Sequence, residues 1–183
     1  MCYNQSMTSI YITGGAKNGK SSLGQKAACR LSARDGLDLF YVATMIAVDD
    51  EDCARIARHR ADRQGLGFTT LEQGRDLAGL AEKSGFYLVD SVTALLANLM
   101  FGPDGFDPAA PEKAAADLLA FLDQAGGAVL ISDYIGGDGG DYDDWSRQYM
   151  AGLAALDRTL AARCDAVAEL CAGLPIVYKG KLP

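Results

Sequence analysis

At 183 residues the chain has room for one α/β domain with a substantial core and little for a second. Hydrophobic residues make up 49% and charged residues 22%, and no apolar run approaches the length needed to cross a bilayer, so membrane insertion is not expected. The net charge of −7 and pI near 4.6 set the surface against polyanions, so nucleic acid is not an expected partner.

Residues 1–7 read as a flexible N-terminal extension, and 8–183 as a single nucleotide-binding domain. The stretch from Met1 to Thr8 is polar and lacks the basic-then-apolar layout of a signal peptide, which makes the cytoplasm the expected compartment. Five cysteines, an odd number with no C-x-x-C pair, read as reduced thiols, mostly buried.

Ser9 to Thr13 is an apolar strand, followed by Gly14-Gly15-Ala16-Lys17-Asn18-Gly19-Lys20-Ser21. That run fits G-x-x-x-x-G-K-[ST], the phosphate-binding P-loop, with a strand before it and helical spacing of Leu23, Ala27, Ala28 and Leu31 after it. Glycines let successive backbone N–H groups turn inward and approach a phosphate closely. Lys20 supplies a positive charge, and Ser21 at a helix N-terminus offers a hydroxyl to a Mg²⁺ ion held mainly by phosphate and water. The pattern predicts a nucleoside triphosphate site.

The helix should end at Asp35-Gly36, and Leu37 to Ala43 reads as a second strand, which makes a βαβ unit and a parallel sheet. Thr44 then falls at the strand's C-terminal end, the side on which open α/β sheets bind ligands. A further helix opens on Asp49-Asp50-Glu51-Asp52 and runs into Arg55, Arg58, His59, Arg60 and Arg63. Cations near a helix C-terminus complement its dipole. His59, the only histidine, also stands among arginines that should keep its imidazole neutral and nucleophilic, while the guanidiniums hold a triphosphate.

Phe68 to Glu72 reads as an edge strand and Arg75 to Ser84 as a helix. Phe86 to Asp90 is an apolar strand closing on a carboxylate, the layout of a Walker B acid beside the metal. The next helix carries Val92, Leu95, Leu96, Leu99 and Met100, with Asn98 as a candidate for bonding a neighbouring loop. Gly102 to Pro111 reads as a surface loop, Glu112 to Gln124 as an amphipathic helix, and Ala128 to Ser132 as a core strand. The glycine-rich run from Asp133 to Gly140 occupies an active-site position. Asp141 to Arg163 reads as a long helix whose Trp145, Tyr149, Leu153, Leu156 and Leu160 stripe faces the core. Ala166 to Cys171 and Pro175 to Lys179 predict a small C-terminal hairpin around Gly173.

Ile12 to Ser21, Tyr41-Val42-Ala43-Thr44, Asp49 to Glu51 leading to Ala54 through Arg60, and Asp90 to Thr93 followed by Asn98-Leu99 occur in one order. In that combination the chain resembles the bifunctional adenosylcobinamide kinase/adenosylcobinamide-phosphate guanylyltransferase family of cobalamin biosynthesis. The resemblance implies a P-loop NTPase-type α/β fold, a mainly parallel sheet flanked by helices. It implies a kinase step on adenosylcobinamide, and GMP transfer from GTP to adenosylcobinamide phosphate through a guanylyl-histidine on His59. GTP and ATP are the implied nucleotides, Mg²⁺ the implied ion, and a homotrimer the implied assembly. The residues carried over to nucleotide binding are Gly14, Gly15, Ala16, Lys17, Asn18, Gly19, Lys20, Ser21, Thr44, Met45, Ile46, Arg60, Ala61, Asp62, Arg63, Glu72 and Asp90. Ser21 and Asp90 are carried over to the metal, and Lys20 to catalysis with His59.

The chain departs from the family in having Lys17-Asn18 for Arg-Ser and Asp133-Tyr134-Ile135-Gly136 for Asn-Glu-Val-Gly. Two other readings stay open, the first because of Tyr134 and the altered glycine loop, the second because the P-loop chemistry admits another acceptor. One is a GTP-binding relative with impaired catalysis, the other a P-loop small-molecule kinase of another pathway.

Overall fold

Period-2 alternation in the strands and period-3.6 spacing in the helices assign the side chains to two cores. The computed structural model describes residues 8–47, 49–103, 105–137 and 139–183, with the backbone alone for Glu51, Arg55, His59 and Asp62. The expected extension, 1–7, lies outside the described residues. In chain order the elements are β1 (Thr8–Gly14), α1 (Lys20–Asp35), β2 (Asp38–Ala43), α2 (Asp50–Asp62), β3 (Thr69–Glu72), β4 (Gly85–Asp90) and α3 (Val92–Met100). There follow β5 (Phe101–Gly102), β6 (Gly105–Phe106), α4 (Ala110–Gln124), β7 (Gly127–Ile131), α5 (Asp144–Arg163), β8 (Ala166–Cys171) and β9 (Leu174–Lys179).

Seven strands form one sheet in the order β3-β2-β4-β7-β1-β8-β9, all parallel except the last pair. In β1, Ile10 and Ile12 point to the face covered by α1 and pack with Ala28, Leu31, Leu88 and Val129. Tyr11, between them, points to the opposite face and joins the core that α3, α4 and α5 close with Leu95, Leu118, Phe121 and Leu156. Burial on both faces explains why the central strands are continuous apolar runs. Strand β1 sits between β7 and β8 while the chain continues to β2, three places along. Such a change of direction opens a crevice at the strands' C-terminal ends.

Caps close the elements as anticipated: Gly36 ends α1 in the left-handed region at φ 66°, and Asp49 accepts the Asp52 N–H at the start of α2. Ala172 and Gly173, both at positive φ, turn the β8–β9 hairpin. No helix among the described residues is long and apolar enough to cross a membrane.

Several expectations need correcting. The helix anticipated over Arg75 to Ser84 is one 3₁₀ turn, Leu77–Leu80. The Asp117 carboxylate of α4 accepts the Leu77 and Ala78 N–H groups, and Asp76 stands in the left-handed region, so a tertiary contact replaces helical propagation. The Gly102 to Pro111 loop contains the β5–β6 ribbon, and α4 begins at Ala110 because Pro111 suits the first helical turn. Helix α5 starts at Asp144, capped by Asp143, and Trp145 is 53% exposed rather than core, because the buried positions of α5 begin only at Gly152. Of the four cysteines described, only Cys164 is buried.

Candidate active site

The P-loop is shaped by two glycines. Gly14, at φ 145°, passes so close to β8 that a Cβ there would stand 2.5 Å from the Leu170 carbonyl oxygen. Gly19, at φ 88°, starts α1. The Asn18 side-chain amide donates to the same Leu170 carbonyl at 3.1 Å, pinning the loop to the sheet. Lys20 is only 6% exposed; its ammonium donates to the Gly15 carbonyl at 2.7 Å and pairs with Asp133 Oδ1, also at 2.7 Å.

Beside this loop lies a cavity of about 700 Å³. Residues Ala16 through Ser21 form one wall, and Arg58, Arg60 and Arg63 from the end of α2 form the facing one. Met45, Glu72, Asp90 and Asp133, from the C-terminal ends of the strands or just beyond them, complete it. Arg60 is paired with Glu72 across the opening. Arg63 is buried, and its guanidinium carbon lies 3.6 Å from the centroid of the Tyr41 ring. Its Nε has no hydrogen-bond partner, and no carboxylate among the described residues pairs with it. Five cations, Lys17, Lys20, Arg58, Arg60 and Arg63, thus surround one cavity in a protein of net charge −7. That is the electrostatics of a polyphosphate site.

Tyr41 donates its hydroxyl to Asp90 Oδ2 at 2.7 Å, which orients the carboxylate. Burial, and then the Asp90 charge, push the Tyr41 hydroxyl pKa far upward, so it remains a donor. Among the described residues no group of three or more His, Cys, Asp or Glu side chains could hold a metal by itself. Ser21 and Asp90 both line the cavity, and a hydroxyl and a carboxylate are hard oxygen donors that suit a Mg²⁺ whose other ligands come from phosphate and water.

Of the expected site residues, Ala16 through Ser21, Met45, Arg60, Arg63, Glu72 and Asp90 come together here. Gly14 and Gly15 stand behind the loop and shape it. Thr44 is fully buried; its hydroxyl donates to the Ser91 carbonyl and accepts the Ser91 N–H, both at 2.7 Å. Asn98 bridges the Thr44 and Gly74 carbonyls, and Ile46, half-exposed, packs toward Gly74. Ala61 is exposed on α2, off the cavity wall. The side chains of His59 and Asp62 lie outside the described residues, as does the expected depression of the imidazole pKa; the backbone of His59 lies between Arg58 and Arg60, both on the wall. Sequence reasoning gave Tyr41 no role in the site, and it placed the run opening on Asp133 there without its pairing to Lys20. Asp133 stands just past the end of β7, as Asp90 ends β4, and that shared position was the available signal.

Residues 10–178 match the family model described as cobinamide kinase / cobinamide phosphate guanyltransferase. The chain belongs to this family. A bifunctional adenosylcobalamin biosynthesis protein of Pseudomonas aeruginosa, CobP, is 36% identical over 93% of this chain and 96% of its own length. Its counterpart CobU from Salmonella typhimurium is 28% identical over 93% of this chain and 99% of its own. Among solved structures, the flagellar accessory protein FlaH of Methanocaldococcus jannaschii aligns with a TM-score of 0.52 at 12% identity, covering 95% of this chain and 79% of its own. A KaiC-like protein of Pyrococcus horikoshii does so at 0.52 and 11%, covering 95% and 80%. At those identities the likeness shows the fold alone. In this member of the family the glycine loop, the arginine-bearing end of α2 and the acidic end of β4 meet around one cavity.

Proposed function

We propose that the chain phosphorylates adenosylcobinamide and then transfers GMP from GTP to the resulting phosphate, giving adenosyl-GDP-cobinamide. The observation that carries this reading is the convergence of the glycine loop and the arginine-bearing end of α2 on one cavity. A kinase needs the loop; a nucleotidyltransferase working through His59 needs that helix as well.

In the kinase step the substrate hydroxyl attacks the terminal phosphorus, and the bond to the bridging oxygen breaks. Lys20 exchanges Asp133 for phosphate oxygens, its ammonium already held at the loop by the Gly15 carbonyl. In the transferase step a ring nitrogen of His59 bonds to the α-phosphorus of GTP as pyrophosphate departs. The phosphate of adenosylcobinamide phosphate then attacks the same phosphorus, and the P–N bond breaks to regenerate the imidazole. Arg58, Arg60 and Arg63 stabilise the charge that develops during both displacements. Ser21 and Asp90 would hold Mg²⁺, which supplies charge neutralisation across the phosphates.

Incubation with α-labelled GTP tests the transferase step. Acid-labile label on the protein, lost in His59→Ala, is the expected result; no label, or label that survives the substitution, overturns it. Assembly as a homotrimer belongs to the same proposal. It is supported by β9, an edge strand on which Leu174, Ile176, Val177 and Tyr178 are all exposed. A cytoplasmic site of action is supported by the four described cysteines, all free thiols.

A further inference from the structure

Four aromatic rings meet at the edge of the domain next to this cavity. Phe101 of β5 and Phe106 of β6 pack at 5.7 Å between centroids, Phe106 meets Trp145 edge-on at 4.2 Å, and Phe101 meets Tyr149 at 5.8 Å. The cluster is not closed: Phe101 is 47% and Trp145 53% exposed, so their surfaces face solvent. Hydrogen bonds tie the cluster to the reacting end of the site. The Tyr149 hydroxyl donates to the Thr93 carbonyl at 2.7 Å, the Thr93 hydroxyl accepts the Asp133 N–H at 2.7 Å, and Asp133 holds Lys20. Trp145 is one helical turn from Tyr149 along α5, roughly 6 Å at the usual rise per residue.

Carboxylates gather on the Trp145 side of the patch. Asp141, Asp143 and Asp144 flank Trp145, and Arg147 pairs with Asp141 and Asp144; on the β5–β6 side Lys113 pairs with Asp107, and the Arg75 guanidinium lies against Gly102 and donates to the Asn98 carbonyl. The Ser146 N–H holds the Asp143 carboxyl below its ordinary range, so that acid is ionised at neutral pH. The phosphate-binding cavity is basic; this neighbour is aromatic and acidic.

We infer that the Phe101–Phe106–Trp145 platform with its acidic border binds the corrin ring of the cobinamide substrate, a broad, flat and positively charged macrocycle. This inference rests on the activity proposed above. Trivalent cobalt in a monoanionic ring with one alkyl ligand keeps a net positive charge, which complements the carboxylates, and the apolar ring face complements aromatic surface. The hydroxyl to be phosphorylated lies at the end of a flexible arm, so the ring must sit beside the triphosphate cavity rather than within it. The platform stands at that place, one hydrogen bond beyond Thr93.

Trp145 is the only tryptophan in the chain, so its emission reports on this patch alone. Titration of the full chain with adenosylcobinamide in the dark, corrected for absorption with free tryptophan amide, is expected to quench that emission saturably, whereas ATP and GTP do not. Trp145→Ala is expected to raise the KM for adenosylcobinamide roughly tenfold, the loss of one aromatic anchor, with Trp145→Phe recovering part of it. Asp141→Asn combined with Asp144→Asn should raise it a few-fold, as for exposed charges. Labelling of the protein by GTP, which needs no corrinoid, should be unchanged in each variant. Turnover of adenosylcobinamide with an unchanged KM in Trp145→Ala, or without saturable quenching, overturns this inference alone. So does Trp145 shielded from acrylamide in the free protein, the sign of a second copy on the patch. A wild-type chain that turns over no adenosylcobinamide overturns the underlying activity, and this inference with it.

Discussion

Asp133 holds the P-loop lysine through a 2.7 Å ion pair at the edge of the cavity, and an incoming triphosphate must both displace it and approach its negative charge. Asp133→Asn should therefore tighten ATP binding several-fold, about 1 kcal/mol for a partly exposed pair, in calorimetric titration. Unchanged or weaker binding would show that the carboxylate aids the bound state. Gly14→Ala tests the loop itself. Its Cβ would stand 2.5 Å from a backbone oxygen at a φ that side chains avoid, so a loss of about 2 kcal/mol or more in urea unfolding is expected, with weakened ATP binding. The glycines and Lys20 were legible because phosphate binding requires those residue types at that spacing. The Arg63–Tyr41–Asp90 arrangement was not, because stacking between residues 22 positions apart leaves no local pattern.

Between elements, the contact that best shows what periodicity leaves out is the Asp157 carboxylate of α5. It accepts the Tyr11 hydroxyl of β1 at 2.5 Å and the Ser132 hydroxyl at 3.1 Å, joining α5 to the P-loop strand and the end of β7. Burial raises its pKa above the ordinary 3.8, the two hydroxyls opposing the shift only in part. The folded protein thus binds this proton more tightly than the unfolded chain. The protonated acid is compatible with the fold at low pH, and stability is lost as pH rises from 3.8 through the folded value. Asp157→Asn keeps an acceptor and removes the charge. Its thermal midpoint should exceed the wild type's at pH 7, and that advantage should vanish below about pH 4. A constant difference across that range would rule out titration of Asp157 as the cause. The long helices α1 and α5 and every strand of the main sheet were readable from apolar spacing and caps. The 3₁₀ turn at Leu77–Leu80 was not, since its form depends on a carboxylate 40 residues away.

For the whole molecule, the open question of assembly turns on β9, which closes the sheet with apolar side chains left in solvent. A charge on an edge strand opposes pairing with another chain. Ile176→Lys should convert the proposed trimer to monomer in multi-angle light scattering while preserving the fold by circular dichroism. A wild-type monomer at micromolar concentration would remove the trimer from the proposal. Family, fold class and the glycine loop between β1 and α1 were determined by the amino-acid sequence alone, because each depends on short-range pattern: strand, glycine turn, helix, and an acid at a strand end. Only tertiary structure decided that the end of α2 faces the P-loop, that Lys20 rests on Asp133, and that Trp145 stands in solvent within an aromatic cluster instead of in the core. Those facts depend on which ends of separate elements the sheet order brings together, and distance along the chain does not encode proximity across it.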